Sequence, residues 1–158
     1  MRNTTTEFNQ ILGDAYRGAD NKALFGPVVH ANIAQAEKIT KDTYDAAIKE
    51  RPKEINEIRK VFEEVDAFVT PTHPFVAPPF TVDAEADAGV RQFTVPVSFT
   101  GFPALSVPCG FDSSGLPIGL QIVASDFQEQ LLFRIALALE RESEFSSKRP
   151  STYWQGTA

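Results

Sequence analysis

The feature that most constrains this fold is ALSVPC at residues 104–109, a run that is apolar at nearly every position. A strand of this composition is covered on both of its faces in the folded protein. The next apolar run, PIGLQIV at residues 117–123, places a glycine and a glutamine on its second face, which indicates close contact with another group. The chain offers roughly three strands and three or four helices to cover these runs. The sequence therefore predicts the edge of a larger sheet whose other strands lie elsewhere.

Helical and strand periodicities alternate along the chain, as in α/β proteins. In order, the predicted elements are one or two helical turns within residues 1–25, a helix opening at Gly26-Pro27, an amphipathic helix after Thr40, a buried strand over 67–70, a two-turn helix over 94–101, a hairpin of the two apolar runs, and a final helix over 126–142. Pro52 predicts a kink or break in the amphipathic helix. Asp126 with Glu129 predicts a capping box at the start of the final helix.

The length of 158 residues lies near the mode for one domain, so we expect a single unit over residues 1–158. Residues 73–91 contain three prolines and the acidic run DAEADA, with few residues that can form a core. This composition predicts a long surface loop, and loops of that length are usually functional or mobile.

Charge and cysteine content exclude several classes of function. Fifteen Lys and Arg against 21 Asp and Glu give a net charge of -6, without a basic run, so nucleic acid is not an expected partner. No apolar run approaches the roughly twenty residues that span a bilayer, and the N-terminus lacks an apolar signal core. One cysteine and two histidines supply neither an intrachain disulfide nor a plausible structural metal site. We expect a cytoplasmic protein with no metal, no cofactor and no membrane association.

The candidate nucleophiles lack the sequence context that catalysis requires. A Ser-His-acid centre would combine His30 or His73 with a serine such as Ser98 or Ser106, but no G-x-S-x-G elbow is present. His30 fits a partly buried, hydrogen-bonded residue and His73 a loop residue. Cys109 has no cationic neighbour in sequence, which favours a buried, inert thiol. The sequence therefore predicts no catalytic residue and no self-sufficient active site.

Two long segments resemble the C-terminal part of the amidase signature family. The segment over 93–140 contains FTVPVSFTGFPALSVPCGF and GLPIGLQ, followed by a Leu-rich helix, in that family's order and spacing. Upstream, FGPVVHANIAQAEKITKDTYDAAI and VFEEVDAFVTPTHPFVAPP are similar to the part of the family that runs into a D-x-x-x-T-P-T strand. The resemblance covers roughly residues 24–142.

This resemblance implies an α/β fold, here a partial mixed sheet flanked by helices, in hydrolases that cleave carboxamides. The family uses a Ser, a second Ser in a cis peptide and a Lys, all within its N-terminal two thirds around a Gly-Ser-rich loop. The Ser-Ser pairs of this chain, at 113–114 and 146–147, fall in the hairpin turn and near the C-terminus. Neither pair can be matched to the catalytic serines, so the resemblance implies a C-terminal portion that is inactive alone.

Two positions depart from the family's pattern. Ser98 stands where the family often has Asn in the small helix. Arg91 or Gln92 stands where glutamine-using amidotransferase subunits tend to carry Asp. The second departure favours a general amidase relative over an enzyme that delivers glutamine nitrogen to tRNA.

The resemblance also implies substrate-binding positions, because pocket walls in the family draw on the loop after T-P-T and on the small helix. The candidates are Phe75, Thr94, Ser98 and Phe99. Core packing is the competing role for Phe99, and helix capping is the competing role for Thr94.

Two hypotheses follow. In the first, the chain is the C-terminal portion of an amidase-family hydrolase that acts on a small-molecule amide and is completed by a separate N-terminal half. In the second, it is a non-catalytic remnant that pairs its sheet with a second copy and serves as a self-associating or binding module, since uncovered apolar sheet edges favour association.

Overall fold

The computed structural model describes residues 2–18, 21–79, 89 and 91–148. These residues belong to two compact units, Met1–Glu57 and Ile58–Ala158. The helices are α1 (Arg2–Arg17), α2 (Pro27–Ala36), α3 (Lys41–Val61), α4 (Thr94–Thr100) and α5 (Glu129–Glu142), with 3-10 turns at Asn21–Leu24 and Phe145–Ser147; the strands are β1 (Ala67–Pro71), β2 (Ala104–Phe111) and β3 (Pro117–Ala124). The predicted α/β class is confirmed.

The first helix is longer than its sequence pattern predicts. Instead of one or two turns, α1 runs for 16 residues. Its C-terminal half contacts α2, where the Tyr16 hydroxyl lies 2.7 Å from His30 Nδ1 and the two rings meet edge to face. Tertiary contact of this kind stabilises a helix whose own apolar residues are few.

Helices α2 and α3 follow the predicted order. Gly26 is the N-cap of α2 and Pro27 occupies its first turn, where a missing backbone N–H costs nothing. In α3, Pro52 lies inside one continuous 21-residue helix, so the helix does not break there.

The three strands form one antiparallel sheet in the order β1-β3-β2. The predicted hairpin is confirmed, with Leu105 opposite Ile122. Its turn is stabilised by Asp112 Oδ1, which accepts hydrogen bonds from the backbone N–H of Ser114 at 2.9 Å and of Leu116 at 2.8 Å. On the other side of β3, Val69 of β1 lies opposite Ile122.

One face of the sheet packs against α5, and we call it the helix face. Its core combines residues of β2 and β3 with residues of α5, namely Val107, Ile122, Ala124, Leu132 and Ala136. This face continues across β1 to Val69, whose side chain is 56% exposed. The core therefore lies under β2 and β3 and is contacted by Ala67 of β1, whereas Val69 stays open on this side. None of the residues of β1 is fully buried, so the strand predicted over 67–70 is present but is not a buried one.

The start of α5 corrects the predicted capping box. The N-cap is Gln128, without a side-chain cap, and the helix begins at Glu129. The Asp126 carboxylate instead accepts two hydrogen bonds from the Arg59 guanidinium. An ion pair with a side chain distant in sequence has replaced the local cap, and no sequence spacing indicates it.

Helix α4 confirms the predicted short helix and its terminating glycine. Gly101 adopts φ 85° at the C-cap, and its N–H donates to the Val97 carbonyl. The cap at the other end is Phe93 and not Thr94. Thr94 is the first helical residue, and its hydroxyl lies 3.5 Å from the Arg91 carbonyl oxygen, so the capping role expected for Thr94 is wrong.

The predicted loop over 73–91 lies partly outside the described residues. Residues 72–79 form bends without regular structure, and residues 80–88 and 90 are not described. Among the described helices, none combines the length and the apolar character needed to cross a membrane.

Candidate functional site

The face of the sheet opposite α5 carries a row of hydrogen-bonding side chains. Strand register places Thr70 of β1 and Ser106 of β2 on either side of Gln121 of β3. Thr72 follows β1, and its backbone N–H donates to the Gly119 carbonyl at 2.8 Å. We call Thr70, Thr72, Ser106 and Gln121 the polar row. All four side chains are uncharged.

Gln121 is the buried member of the polar row, at 5% exposure. Its Nε2 donates to Thr70 Oγ1 at 3.0 Å and to the Phe93 carbonyl at 3.1 Å. A carbonyl oxygen can only accept, so the second bond fixes which end of the amide is the nitrogen. Gln121 thus ties the start of α4 to the middle of the sheet.

Thr72 and Ser106 meet across the central strand. Their hydroxyl oxygens are 2.6 Å apart, and either can be the donor. A Cβ built on Gly119 would lie 2.8 Å from Thr72 Oγ1 and 3.1 Å from Ser106 Oγ. The hydroxyls can approach each other because the residue between them has no side chain.

The polar row offers hydrogen bonds but no activated nucleophile. The Ser106 hydroxyl is hydrogen-bonded to the Thr72 hydroxyl, which is too weak a base to take its proton. No group of three potential metal-ligating side chains lies together within the described ranges. The arrangement consists of hydrogen bonds among uncharged side chains and one backbone carbonyl.

Two of the sequence-predicted substrate neighbours lie next to the polar row along the chain. Phe75 comes three residues after Thr72, is 42% exposed, and has its ring against Gly89. Thr94 directly follows Phe93, whose carbonyl is bound by Gln121. The segments that contain Phe75 and Thr94 are therefore each attached to the sheet by a hydrogen bond from a residue of the polar row, Thr72 in one case and Gln121 in the other.

The other two predicted neighbours lie further along α4. Ser98 is exposed and, within the part of the chain that is described, its hydroxyl has no hydrogen-bond partner. Phe99 is half-buried.

The remaining candidate residues, the two histidines and the cysteine, differ in burial and in hydrogen bonding. His30 is half-buried and hydrogen-bonded to Tyr16, as its sequence context predicts. Cys109 is half-buried where β2 bulges, and its Sγ lies 3.5 Å from the Ile118 carbonyl, so it is less buried than expected. His73 is exposed in the loop after β1.

The first unit contains an open cavity of about 450 Å³ lined mainly by polar and charged side chains. Arg17 and Glu37 form an ion pair at 3.4 Å within this lining. Tyr44, also in the lining, donates a hydrogen bond to Glu7, and partial burial followed by the Glu7 carboxylate raises the pKa of its phenol. Most of the charged lining groups are thus already paired inside the unit.

The polar row was not predicted from the sequence, although one of its signals was present. The glycine and glutamine on the second face of PIGLQIV indicated close contact, and Gly119 and Gln121 are the residues that make it. Thr72 and Ser106 carried no such signal, because a threonine after a strand and a serine within one are common residues. Their proximity depends on strand order.

Comparison with known proteins agrees with the motifs. A family model described as Amidase matches residues 6–133. A glutamyl-tRNA(Gln) amidotransferase subunit from Halalkalibacterium halodurans is 40% identical over 100 residues, which are 60% of this chain and 20% of that protein. The corresponding protein from Pediococcus pentosaceus is 37% identical over 148 residues, 88% of this chain and 30% of its own length. The chain thus spans less than a third of these relatives.

Solved structures give the same result. An amidase crystal structure matches with a TM-score of 0.76 at 25% identity, over 87% of this chain and 33% of the amidase. A 6-aminohexanoate cyclic dimer hydrolase shares the fold with a TM-score of 0.75 at 23% identity, over 95% of this chain and 34% of the hydrolase. The resemblance drawn from the motifs is confirmed, and because the family model matches most of the sequence, the chain belongs to the Amidase family.

Proposed function

We propose that this chain is the C-terminal portion of a carboxamide hydrolase and that it is inactive alone. The observation that carries the proposal is the family match over residues 6–133 in a chain whose described serine and cysteine side chains are not hydrogen-bonded to a histidine, lysine or carboxylate. Amides resist attack, so hydrolysis requires an activated nucleophile, a proton shuttle and donors for the oxyanion. The chain contributes the sheet and part of the substrate pocket, and the reactive groups come from another stretch of polypeptide.

The partner in this proposal is an amidase N-terminal half, and two features support it. Both outer edges of the three-stranded sheet lack a partner among the described strands. Val69 is exposed on the edge strand, on the face that elsewhere forms the core. Open edges and exposed apolar side chains favour the addition of further structure.

The substrate in this proposal is a small-molecule amide. The two relatives named above belong to glutamyl-tRNA(Gln) amidotransferases, whereas Arg91 or Gln92 replaces the Asp that glutamine-using subunits tend to carry. This difference favours a general amidase over a tRNA-dependent one. Phe75, Thr94, Ser98 and Phe99 are the proposed substrate neighbours.

The lone Cys109 and the net charge of -6 support a cytoplasmic setting without a nucleic-acid partner.

Complementation tests the proposal. The purified chain, assayed on simple aryl and aliphatic amides, should show no turnover above buffer. Co-expression with the N-terminal two thirds of an amidase should produce hydrolysis that neither part shows alone. Replacing the catalytic serine of the added part by alanine should abolish that activity. Hydrolysis by the chain alone would contradict the proposal.

A second candidate function is a self-associating module, which exposed apolar residues on and before α5 favour. Phe127 is 90% exposed, Phe133 64% and Leu137 46%. Phe133 and Leu137 are one helical turn apart and form a continuous apolar surface. Under this function, sedimentation should show a dimer that Phe133→Glu dissociates, whereas Ala138→Glu on the same helix leaves it intact. A monomeric wild-type chain would exclude this function.

A further inference from the structure

We propose that Gln121 is a positioning residue, which acts on the substrate pocket through helix α4. Its side-chain N–H groups hold the start of α4 at the middle of the sheet, and α4 carries the proposed substrate neighbours Thr94 and Ser98. The inference rests on the proposed function for its setting, since it names the residue that places one wall of that pocket. In this role Gln121 does not touch the substrate.

Position 121 requires an uncharged side chain with two N–H groups on one atom. Gln121 is 5% exposed, and its Nε2 donates to Thr70 Oγ1 at 3.0 Å and to the Phe93 carbonyl at 3.1 Å. A carbonyl oxygen only accepts, so its partner must be a donor. A lysine would bring a charge into a buried place, which costs free energy, and an asparagine is one methylene shorter. Glutamine therefore meets both partners without a charge.

The bond to the Phe93 carbonyl joins α4 to the sheet. Phe93 is the N-cap of α4, so this bond acts on the residue at which the helix begins. The neighbouring bond from the Val95 N–H to the Arg91 carbonyl, at 2.9 Å, stays within the same segment of the chain. Val97 is buried and keeps α4 packed onto its unit. The Gln121 bond therefore sets where the first turn of α4 lies.

The position of the first turn determines where both proposed substrate neighbours lie. Thr94 directly follows Phe93, and Ser98 is four residues further, on the same side of the helix. Thr94 is half-buried and Ser98 is exposed. A displacement of about 1 Å in a group that positions substrate can cost roughly a hundredfold in rate. A single hydrogen bond at the start of α4 thus controls the geometry of this wall.

NMR of the isotope-labelled full-length chain tests the proposal without any need for turnover. Gln121→Met keeps the length of the side chain and has no N–H. We expect it to shift the Phe93 carbonyl ¹³C signal and the amide signals of Thr94 and Ser98. Amides in the second half of α4 should exchange about fivefold faster, since one hydrogen bond is lost. Gln130→Met, at an exposed position of α5, is the matched control and should change none of these signals.

Thr70→Val separates the position of α4 from general stability. It removes the other partner of Gln121 and leaves the bond to Phe93 in place. One N–H of a buried amide then lacks an acceptor, so the urea midpoint should fall. The Phe93 carbonyl signal and the α4 amide signals should stay at their wild-type positions.

Gln121→Glu adds a spectroscopic signature that a purely structural role would not produce. A carboxyl group donates to the Phe93 carbonyl only while it is protonated, and burial disfavours its charged form. The residues that face position 121 from β1, β2 and the start of α4, namely Thr70, Ser106 and Phe93, are uncharged. The α4 signals of this variant should match wild type at acidic pH and move away as the pH rises. The wild-type amide does not titrate and should show no such transition.

Three results would each overturn the proposal: unchanged Phe93 and α4 signals in Gln121→Met, equal shifts in Thr70→Val, or a Gln121→Glu chain without the pH transition. If Gln121→Met does not fold, the pH series of Gln121→Glu decides. All measurements are made on this chain alone, so their failure is distinguishable from a failure of complementation.

Discussion

Arg59 and Asp126 form an ion pair between the end of α3 and the turn before α5, in which two guanidinium nitrogens bind one carboxylate oxygen. Arg59 Nε and Nη2 lie 3.1 Å and 2.9 Å from the same carboxylate oxygen of Asp126. The guanidinium also lies over the Phe102 ring, at 5.9 Å from its centroid. The side chains are 50% and 40% exposed, so solvent screens the attraction.

Arg59→Met should lower the free energy of unfolding by about 0.5–1 kcal/mol, because it removes the charge and keeps an apolar stem. Urea unfolding measures this difference. Arg134→Met, at an exposed arginine of α5 without an ion pair among the described residues, is the control and should have little effect. A double-mutant cycle with Asp126→Asn should show coupling, and strictly additive effects would contradict the ion pair's contribution.

Ile122→Ala should be the most destabilising of the substitutions considered, by about 2–5 kcal/mol, since it leaves a cavity in a tightly packed site. Ile122 is 0% exposed on the central strand, in the core under α5. Ile118→Ala on the same strand, where the side chain is 39% exposed, should cost about 1 kcal/mol or less. Equal losses in chemical denaturation would show that the helix face is not the core.

Gly119→Ala should destabilise by about 1–3 kcal/mol, because the added methyl pushes the Thr72 and Ser106 hydroxyls apart. Gly110→Ala on the neighbouring strand β2 is the matched control, since the nearest atom to a Cβ there is Ile118 Cδ1 at 4.0 Å, an ordinary contact. Thermal unfolding of both variants provides the measurement. If the Gly119→Ala protein were as stable as wild type, the Thr72 and Ser106 hydroxyls would not approach each other over Gly119 as closely as described.

Gly101→Ala should cost about 1 kcal/mol, because the C-cap of α4 has φ 85° and a Cβ is strained in that region. Gly101→Asn should cost less, since asparagine tolerates the left-handed region better than alanine. Equal stability of the glycine and alanine proteins in urea would contradict the left-handed cap.

Local patterns predicted most of the second unit. β1, α4 and the hairpin each depend on short-range signals: a β-branched run, a terminating glycine, and turn residues between two apolar segments. These signals act over a few residues, so one sequence is sufficient to read them. The alternation in PIGLQIV even separated the helix face from the face that carries Gln121.

The predictions were wrong or incomplete where contacts between residues distant in sequence determine the local structure. Asp126 had the spacing of a capping box, but Arg59 binds its carboxylate. Helix α1 extends well beyond its short apolar patch because Tyr16 contacts His30. The polar row depends on Thr72 and Ser106 lying on opposite sides of β3, which follows from strand order and cannot be inferred from any spacing.

The strand order β1-β3-β2 also bears on how this chain is made. β1 pairs with β3 and with no other described strand, and β3 is the last of the three to be synthesised. While the ribosome is adding the residues between them, β1 has no neighbour to complete its hydrogen bonds. We therefore expect a nascent chain truncated before Pro117 to be protease-sensitive and to depend on chaperones, and one extended past Glu142, which adds β3 and α5, to become protected.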